Sequence, residues 1–202
     1  MSIGKPLVTI FETYGSGASE VGPAVALALG VPWVSHFYSS EDLEAAEGRG
    51  PEDENFLSRL LATLGRSASA TDLGVYPGQL DALDAEDAVR ELRDQCRDGA
   101  VVLGRNGTMV LADEPLALHV KLDGPVDQRI ARGAAEAGID LTRARTRQVR
   151  EDSARAAMSQ RLFGWDPRQN DHFDLVINTG SVPPTMAVDL ILAAYRLKTG
   201  AS

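Results

Sequence analysis

The segment Val8-Thr-Ile-Phe-Glu-Thr-Tyr-Gly-Ser-Gly-Ala-Ser19, together with Glu20–Gly30 after it, decides how the rest of the chain is interpreted. Its first residues are apolar over the length of a strand, and a glycine turn follows. Beyond the turn, apolar residues recur at helical spacing as far as Gly30, a residue that suits the end of a helix. A strand, a glycine turn and a helix in this order are typical of a loop that binds phosphate.

The turn can bind an anion with its main chain. Gly15 and Gly17 allow backbone conformations that other residues avoid, and Ser16 keeps the turn small. The N-terminus of the following helix adds roughly +0.5 of an elementary charge. We therefore predict that the phosphates of a cofactor contact the six residues Tyr14, Gly15, Ser16, Gly17, Ala18 and Ser19.

One residue of the usual phosphate-binding loop is absent. In the full motif a lysine reaches the outer phosphates, and the Ser or Thr after it binds magnesium. Here Ala18 occupies the lysine position and Ser19 the hydroxyl position, so Ser19 is the predicted metal ligand. Among the three lysines of the chain, only Lys121 is predicted near the edge of the sheet where ligands bind. We favour an arginine from the downstream region as the replacement.

Apolar runs alternate with helical patterns along most of the chain. This alternation predicts a single α/β domain over residues 1–202, a three-layer sandwich whose mainly parallel five-stranded sheet has helices on both faces. The predicted strands are Leu7–Phe11, Val31–Val34, Ala100–Leu103, Leu116–Leu122 and Leu175–Asn178. The predicted helices are Glu20–Leu29, Asn106–Leu111, Val126–Ala137, Thr142–Arg161 and Pro184–Lys198.

Residues 35–98 interrupt the alternation and are predicted to be a helical insertion over the substrate side of the sheet. Seven acids and one base, Arg49, lie within residues 41–54, which indicates a solvated loop. Two amphipathic helices are expected after it, Asn55–Leu64 and Asp84–Arg97, with a connection over Gly65–Gly78.

Composition limits the class of protein. The net charge of −9 and the pI near 4.8 argue against binding to nucleic acid or to an anionic membrane. The single Cys96 excludes a disulfide within the chain, and the three histidines show no spacing typical of a metal site. No apolar run is long enough to span a bilayer. We expect a cytoplasmic protein that binds a small molecule, and homo-oligomerisation stays open.

Three further segments carry a resemblance to a known family. The strings VVLGRNGTMVL (101–111), ALHVKLDGPVDQRIAR (117–132) and DLVINTG (174–180) follow the glycine turn in order. With that turn, the chain resembles the cytidylate-kinase-like family of P-loop nucleoside monophosphate kinases. The resemblance implies a doubly wound P-loop fold, ATP as phosphoryl donor with Mg²⁺, and a pyrimidine nucleoside monophosphate as acceptor.

The resemblance also implies roles for four residues, predicted here to be catalytic: Arg105, Arg129, Asp152 and Arg155. Arg105 would contact the acceptor, although a strand-end arginine that neutralises nearby carboxylates is the alternative. Arg129, with Arg132, begins the helix that leads to the lid. Asp152 and Arg155 match an Asp-x-x-Arg motif on the second lid helix, and their spacing is equally compatible with a surface ion pair.

The lid region, residues 127–165, is rich in arginine, whose planar guanidinium suits bidentate contact with phosphate. Residues 127–161 hold eight arginines and five acids and no lysine, a balance of 8 − 5 = +3 in a chain of net charge −9. Two or three phosphate contacts would be enough for function, and the other arginines are expected on a solvated face.

The chain also departs from its resembled family. Relatives commonly have arginines on both sides of the glycine turn, where this chain has Glu12 and Ser19, and an acid where it has Ser35. Less positive charge at the loop would weaken both binding and phosphoryl transfer. The leading prediction is ATP-dependent phosphoryl transfer to a nucleoside monophosphate. The alternatives are a nucleotide-binding sensor with weak or no catalysis, and a kinase for another small hydroxyl compound.

Overall fold

The computed structural model describes residues 5–35, 77–104 and 106–200, and for residues 77–85 the backbone only. Its sheet has five strands, all parallel, in the order β2-β3-β1-β4-β5. The strands are β1 (Leu7–Glu12), β2 (Trp33–Val34), β3 (Ala100–Leu103), β4 (Leu118–Asp123) and β5 (Leu175–Asn178). The predicted five-stranded parallel sheet is therefore confirmed.

Six helices lie in the described part of the chain. They are α1 (Ala18–Leu29), α2 (Pro77–Gln95), α3 (Gly107–Val110), α4 (Val126–Ala137), α5 (Leu141–Phe163) and α6 (Pro184–Thr199). Helix α2 begins seven residues before the predicted Asp84, because a proline is well tolerated in the first turn of a helix. The predicted acidic loop at 41–54, the helix at 55–64 and most of the connection at 65–78 lie outside the described residues.

Helices cover both faces of the sheet, as predicted for a three-layer sandwich. Alternation along β1 directs Val8 and Ile10 to one face, where they pack in a core with residues of α1 and α6. Leu7 lies on the other face, in a second core with residues of α2 and α3. No helix among the described residues is long and apolar enough to cross a membrane.

The strand order places a crevice at the C-terminal end of β1. The chain leaves β1 towards β2 and β3 on one side and later crosses to β4 and β5 on the other side. In doubly wound sheets this reversal opens a crevice beyond the carboxyl ends of the strands, and ligands bind there. The predicted glycine turn follows β1 directly, and so lies in that crevice.

Candidate phosphate-binding site

The turn between β1 and α1 has the backbone shape of an anion-binding loop. Gly15 and Gly17 adopt left-handed conformations, with φ of +68° and +86°. The Ser16 N–H donates to the carbonyl oxygen of Thr13 inside the turn. Four other N–H groups donate to no residue in the described part of the chain: those of Gly15, Gly17, Ala18 and Ser19. The main chain is therefore free to bind an anion at the start of α1.

The side chains of the turn are mostly buried. Ala18 is fully buried in the core shared with α1 and α6, so only its backbone can face a ligand. Ser16 is also fully buried, and its hydroxyl has no hydrogen-bond partner in the part of the chain that the structure describes. Ser19, the predicted metal ligand, is exposed at the first turn of α1. Burial of Ala18 explains how the loop can be compact without the usual lysine.

The loop packs directly against helix α4 through two glycines. A Cβ atom on Gly15 would lie 2.1 Å from the backbone oxygen of Arg129. A Cβ atom on Gly133 would lie 2.6 Å from the ring of Tyr14, which is buried. A side chain at Gly15 would force a shift of the backbone, and one at Gly133 would displace the buried Tyr14 ring, so the two glycines allow the loop to lie close to α4.

Arg129 joins the loop to its surroundings and is almost fully buried, at 5% exposure. Its Nη1 donates to the carbonyl oxygen of Tyr14 at 3.0 Å and to Oδ2 of Asp152 at 3.0 Å. Its Nε donates to the carbonyl oxygen of Gly124 and lies 3.4 Å from Oδ1 of Asp123. Through these contacts, the guanidinium of Arg129 holds the ends of β1 and β4 against helices α4 and α5.

Asp152 and Arg155 bring the long lid helix α5 to the same place. Asp152 Oδ1 accepts the N–H of Tyr14 at 2.7 Å. Arg155 Nη2 lies 3.0 Å from Oε2 of Glu151 and 4.0 Å from Oε1 of Glu12. The side chains of Asp152 and Arg155 are 22% and 10% exposed, so the two residues form a partly buried network and not a surface ion pair.

Three of the four predicted catalytic residues are thus brought together beside the loop: Arg129, Asp152 and Arg155. Their direct contact with a substrate stays a prediction. The fourth, Arg105, lies outside the described residues. Lys121 does not reach the loop as a replacement cation, because its buried Nζ donates to the Arg168 carbonyl and to Asn170 Oδ1, both at 3.1 Å.

Arg132 supplies a second guanidinium at the loop. Its Nη1 donates to the carbonyl oxygen of Gly15 at 2.8 Å and to Oγ1 of Thr179 at 3.2 Å. Its Nη2 donates to the Thr179 carbonyl at 2.8 Å. A Cβ atom on Gly17 would lie 3.7 to 4.0 Å from the side chain of Arg132. The turn after β5 therefore holds Arg132 beside the start of α1.

Carboxylates also surround the loop. Partial burial and then the charge of the neighbouring Glu12 raise the pKa of Glu136, a residue that is exposed overall. Glu20 acts in the same direction, whereas Arg132 and a hydrogen bond with Ser19 oppose the rise in pKa. The sequence analysis did not predict that Glu136 lies at the site. Its spacing from Arg129 and Arg132, at i+7 and i+4, is the signal that places all three on one face of α4.

Comparison with known families places the chain in one of them. Residues 7–181 match the Cytidylate kinase-like family. The chain belongs to this family. A cytidylate kinase from Methanopyrus kandleri is 26% identical over 174 residues, which cover 86% of this chain and 84% of that protein. A uronate isomerase from Corynebacterium glutamicum is 36% identical over 114 residues, covering 56% of this chain and 22% of that protein. The chain thus spans about a fifth of the isomerase's length.

Two solved structures share the fold along nearly the whole chain. An uncharacterized protein from Eubacterium ventriosum is 19% identical with a TM-score of 0.64, and the match covers 95% of this chain and 98% of that one. A gluconokinase from Sinorhizobium meliloti is 17% identical with a TM-score of 0.53, covering 96% and 94%. At these identities the similarity shows the fold alone, an α/β P-loop kinase fold.

Proposed function

We propose that this member of the family transfers a phosphoryl group from ATP to a nucleoside monophosphate. One observation carries the proposal: the open N–H groups of Gly15, Gly17, Ala18 and Ser19 at the start of α1, in the crevice beyond β1. Backbone N–H groups and the helix N-terminus favour a phosphate chain at this point. The nearby arginine network would then stabilise charge during transfer, which depends mainly on positioning and electrostatics.

The residues present also suit Mg²⁺ bound together with the nucleotide. Ser19 is exposed at the start of α1, and its side chain is hydrogen-bonded with the Glu136 carboxylate. Within the described residues no group of three or more His, Cys, Asp or Glu side chains can hold a metal. Mg²⁺ is often bound by one or two protein oxygens and by substrate phosphates, so the site suits a metal that arrives with ATP. When bound, Mg²⁺ would neutralise phosphate charge.

The test is ATP consumption with Mg²⁺ over a panel of nucleoside monophosphates. We expect turnover with at least one pyrimidine monophosphate and a loss of at least ten-fold in kcat/KM for Arg105→Ala. Arg196→Ala is the matched control, because Arg196 is exposed in the last turn of α6. Nucleotide binding without turnover for any acceptor would support a binding-only protein, and absence of binding would contradict the proposal altogether.

A second candidate acceptor is a small polyhydroxyl compound, and Glu151 is the reason. Its side chain is 3% exposed, and its Oε1 has no hydrogen-bond partner among the described residues, although Oε2 is paired with Arg155. A buried carboxylate oxygen without a partner is unfavourable, and a substrate hydroxyl could satisfy it. A relative is named a uronate isomerase, and although the chain spans only about a fifth of its length, uronates are among the compounds to test.

Glu151→Gln separates the two acceptors. Gln keeps the size of the side chain and one carbonyl oxygen but loses the charge. If the acceptor is a polyhydroxyl compound, KM for that acceptor rises, whereas turnover with nucleoside monophosphates stays absent in both proteins. If the acceptor is a nucleoside monophosphate, the wild-type protein shows no turnover on a panel of aldoses, polyols and sugar acids.

A further inference from the structure

We infer that a cavity at the far end of the sheet from the glycine turn binds a small zwitterion, an α-amino acid with an apolar side chain. The cavity has a volume of about 540 Å³ and lies where Leu7 begins β1 and Ala117 precedes β4. Because β1 has six residues, roughly 20 Å separate the cavity from the turn that follows Glu12. The cavity is therefore distinct from the proposed donor site and does not depend on the proposed function.

The floor of the cavity is apolar. Four buried residues of the core between the sheet and helices α2 and α3 line it: Leu7, Cys96, Leu111 and Ala117. Leu116 adds a partly exposed apolar wall. A cavity of this size, with an apolar lining and a few polar groups, is typical of a site for a small molecule. The apolar part of a ligand would leave water on contact with this floor.

The rim of the cavity carries a cation with open donors. Arg93, in the last turn of α2, lines the cavity and donates through Nη2 to Oδ1 of Asp113 at 2.8 Å. Its Nη1 and Nε donate to no residue in the described part of the chain. A guanidinium has five N–H groups, so donors remain for the carboxylate of a ligand. The other cations of the lining, Lys5 and Arg97, each have an aspartate as partner.

The same rim carries an open anion. Glu114 lines the cavity, and no residue in the described ranges donates to its carboxylate. Glu114 directly follows Asp113, the partner of Arg93, so the two open groups belong to the same part of the rim. A simple carboxylic acid would meet the like charge of Glu114, whereas a ligand that also carries an ammonium group complements both charges.

An α-amino acid has this arrangement of groups. Its ammonium and its carboxylate lie on either side of one carbon, and its side chain extends from that carbon in a third direction. The exposed Arg93 and Glu114 would hold the two charges, and the buried floor would hold the side chain. A polar side chain is disfavoured because it would lose water on contact with the apolar floor.

The test titrates the ¹⁵N-labelled protein with four probes and follows the backbone signals by NMR. L-Norleucine carries all three groups, whereas hexanoate lacks the ammonium, hexylamine lacks the carboxylate and glycine lacks the apolar side chain. We expect L-norleucine to shift the signals of Leu7, Cys96 and Ala117 and to leave that of Gly15 in place. It should bind about two- to five-fold more tightly than hexanoate or hexylamine, the factor that one exposed ion pair contributes. Glycine should bind most weakly.

Three variants assign the groups. Leu116→Ser removes part of the apolar wall and should weaken the binding of L-norleucine at least two-fold. Leu190→Ser is the matched control, because Leu190 is 41% exposed on α6 and Leu116 is 40% exposed. Glu114→Gln should lower the affinity for L-norleucine to that for hexanoate, and Arg93→Gln should lower it to that for hexylamine.

Hexanoate or hexylamine that binds as tightly as L-norleucine overturns the inference, as does an unchanged affinity in Leu116→Ser. An absence of shifts at the cavity with L-norleucine overturns it as well. Thermal unfolding identifies any variant that has lost its fold, and the comparison of the four probes on the wild-type protein then decides the question. The proposed function is tested separately by MgATP binding and turnover, so it stands if this site fails.

Discussion

Single atoms at the loop decide whether the site can form. Gly15 and Gly138 are both left-handed, with φ of +68° and +63°, yet their surroundings differ. A Cβ on Gly15 would collide with the Arg129 backbone, whereas a Cβ on Gly138 meets nothing within 4 Å. The requirement for glycine at residue 15 therefore comes from contact with α4 as well as from the conformation of the turn.

We expect Gly15→Ala to destabilise the protein by more than about 2 kcal/mol, because strain in the backbone adds to the collision. Gly138→Ala carries the conformational cost alone, roughly 1 to 2 kcal/mol. Urea unfolding of both variants measures the difference. Equal losses would contradict the close packing of the loop on α4.

Glu136 makes anion binding depend on pH. Because its pKa is raised, this carboxylate takes up a proton earlier than an ordinary glutamate as the pH falls, and one negative charge beside the loop is lost. Sulfate, whose own charge is constant over this range, should bind more tightly at pH 5 than at pH 7. In Glu136→Gln the change in sulfate affinity between these pH values should be smaller. The same pH dependence in both proteins would rule out this role for Glu136.

Among the helices and strands, the main feature is the set of polar contacts that joins helix α5 to the loop. Asp152 accepts the Tyr14 N–H and is paired with the buried Arg129, so it connects the lid helix, the loop and α4. The sequence predicted that these residues belong to one site from the resemblance. It did not predict that the backbone of Tyr14 is part of the network, because that contact depends on how α5 packs against β1.

Asp152→Ala leaves Arg129 buried without its closest carboxylate. We expect a loss of about 3 kcal/mol in the free energy of unfolding, the range for one partner removed from a buried ion pair. Asp127→Ala is the matched control, since Asp127 pairs with Arg145 on the exposed surface at 86% and 62% exposure and should cost under about 1 kcal/mol. Similar losses for the two variants would show that Asp152 does not hold the network together.

The bounds of the elements show where sequence patterns are reliable. Strands β3 and β5 occupy the predicted residues, since each is a short run of mainly apolar residues with a clear end. Helix α2 was predicted to begin too late, because Pro77 and Gly78 were treated as part of a connection. Proline in the first turn lacks only an N–H that has no helical partner, so it does not prevent a helix there.

For the molecule as a whole, the sequence was enough to predict the fold. It was not enough to predict which side chains of the site are hydrogen-bonded to each other. Alternating strands and helices predict a parallel sheet, and the glycine turn predicts which edge binds the ligand. The hydrogen bonds of Arg132 depend on Thr179, 47 residues away, and on the Gly15 carbonyl oxygen. Such contacts follow from the strand order, which the local patterns do not determine.

The stability of the folded protein also depends on pH through His119, a buried histidine of β4. Thr9 Oγ1 lies 2.8 Å from His119 Nδ1 in the interior. Desolvation lowers the pKa of His119, although Asp174 opposes it. The folded state therefore favours the neutral imidazole, and its contribution to stability, present above the ordinary pKa of about 6.5, is lost as the pH falls from there towards the lowered value.

We expect the free energy of unfolding to fall between pH 7 and pH 5 in the wild-type protein and to fall less in His119→Asn. The variant should be less stable at pH 7, since its side chain fits the Thr9 contact less well. Denaturant unfolding at several pH values measures both effects. A slope that is the same in the two proteins would exclude His119 as a source of the pH dependence.

Binding of MgATP to the glycine turn is most directly tested by a titration of the ¹⁵N-labelled protein followed by NMR. The backbone N–H signals of Gly15, Gly17 and Ser19 should shift strongly and together, because these groups donate to no described residue before the nucleotide binds. Gly138, whose surroundings are open, should not move. If nucleotide binds while the signals of the turn stay in place, or if no signal moves at saturating MgATP, the turn is not the donor site.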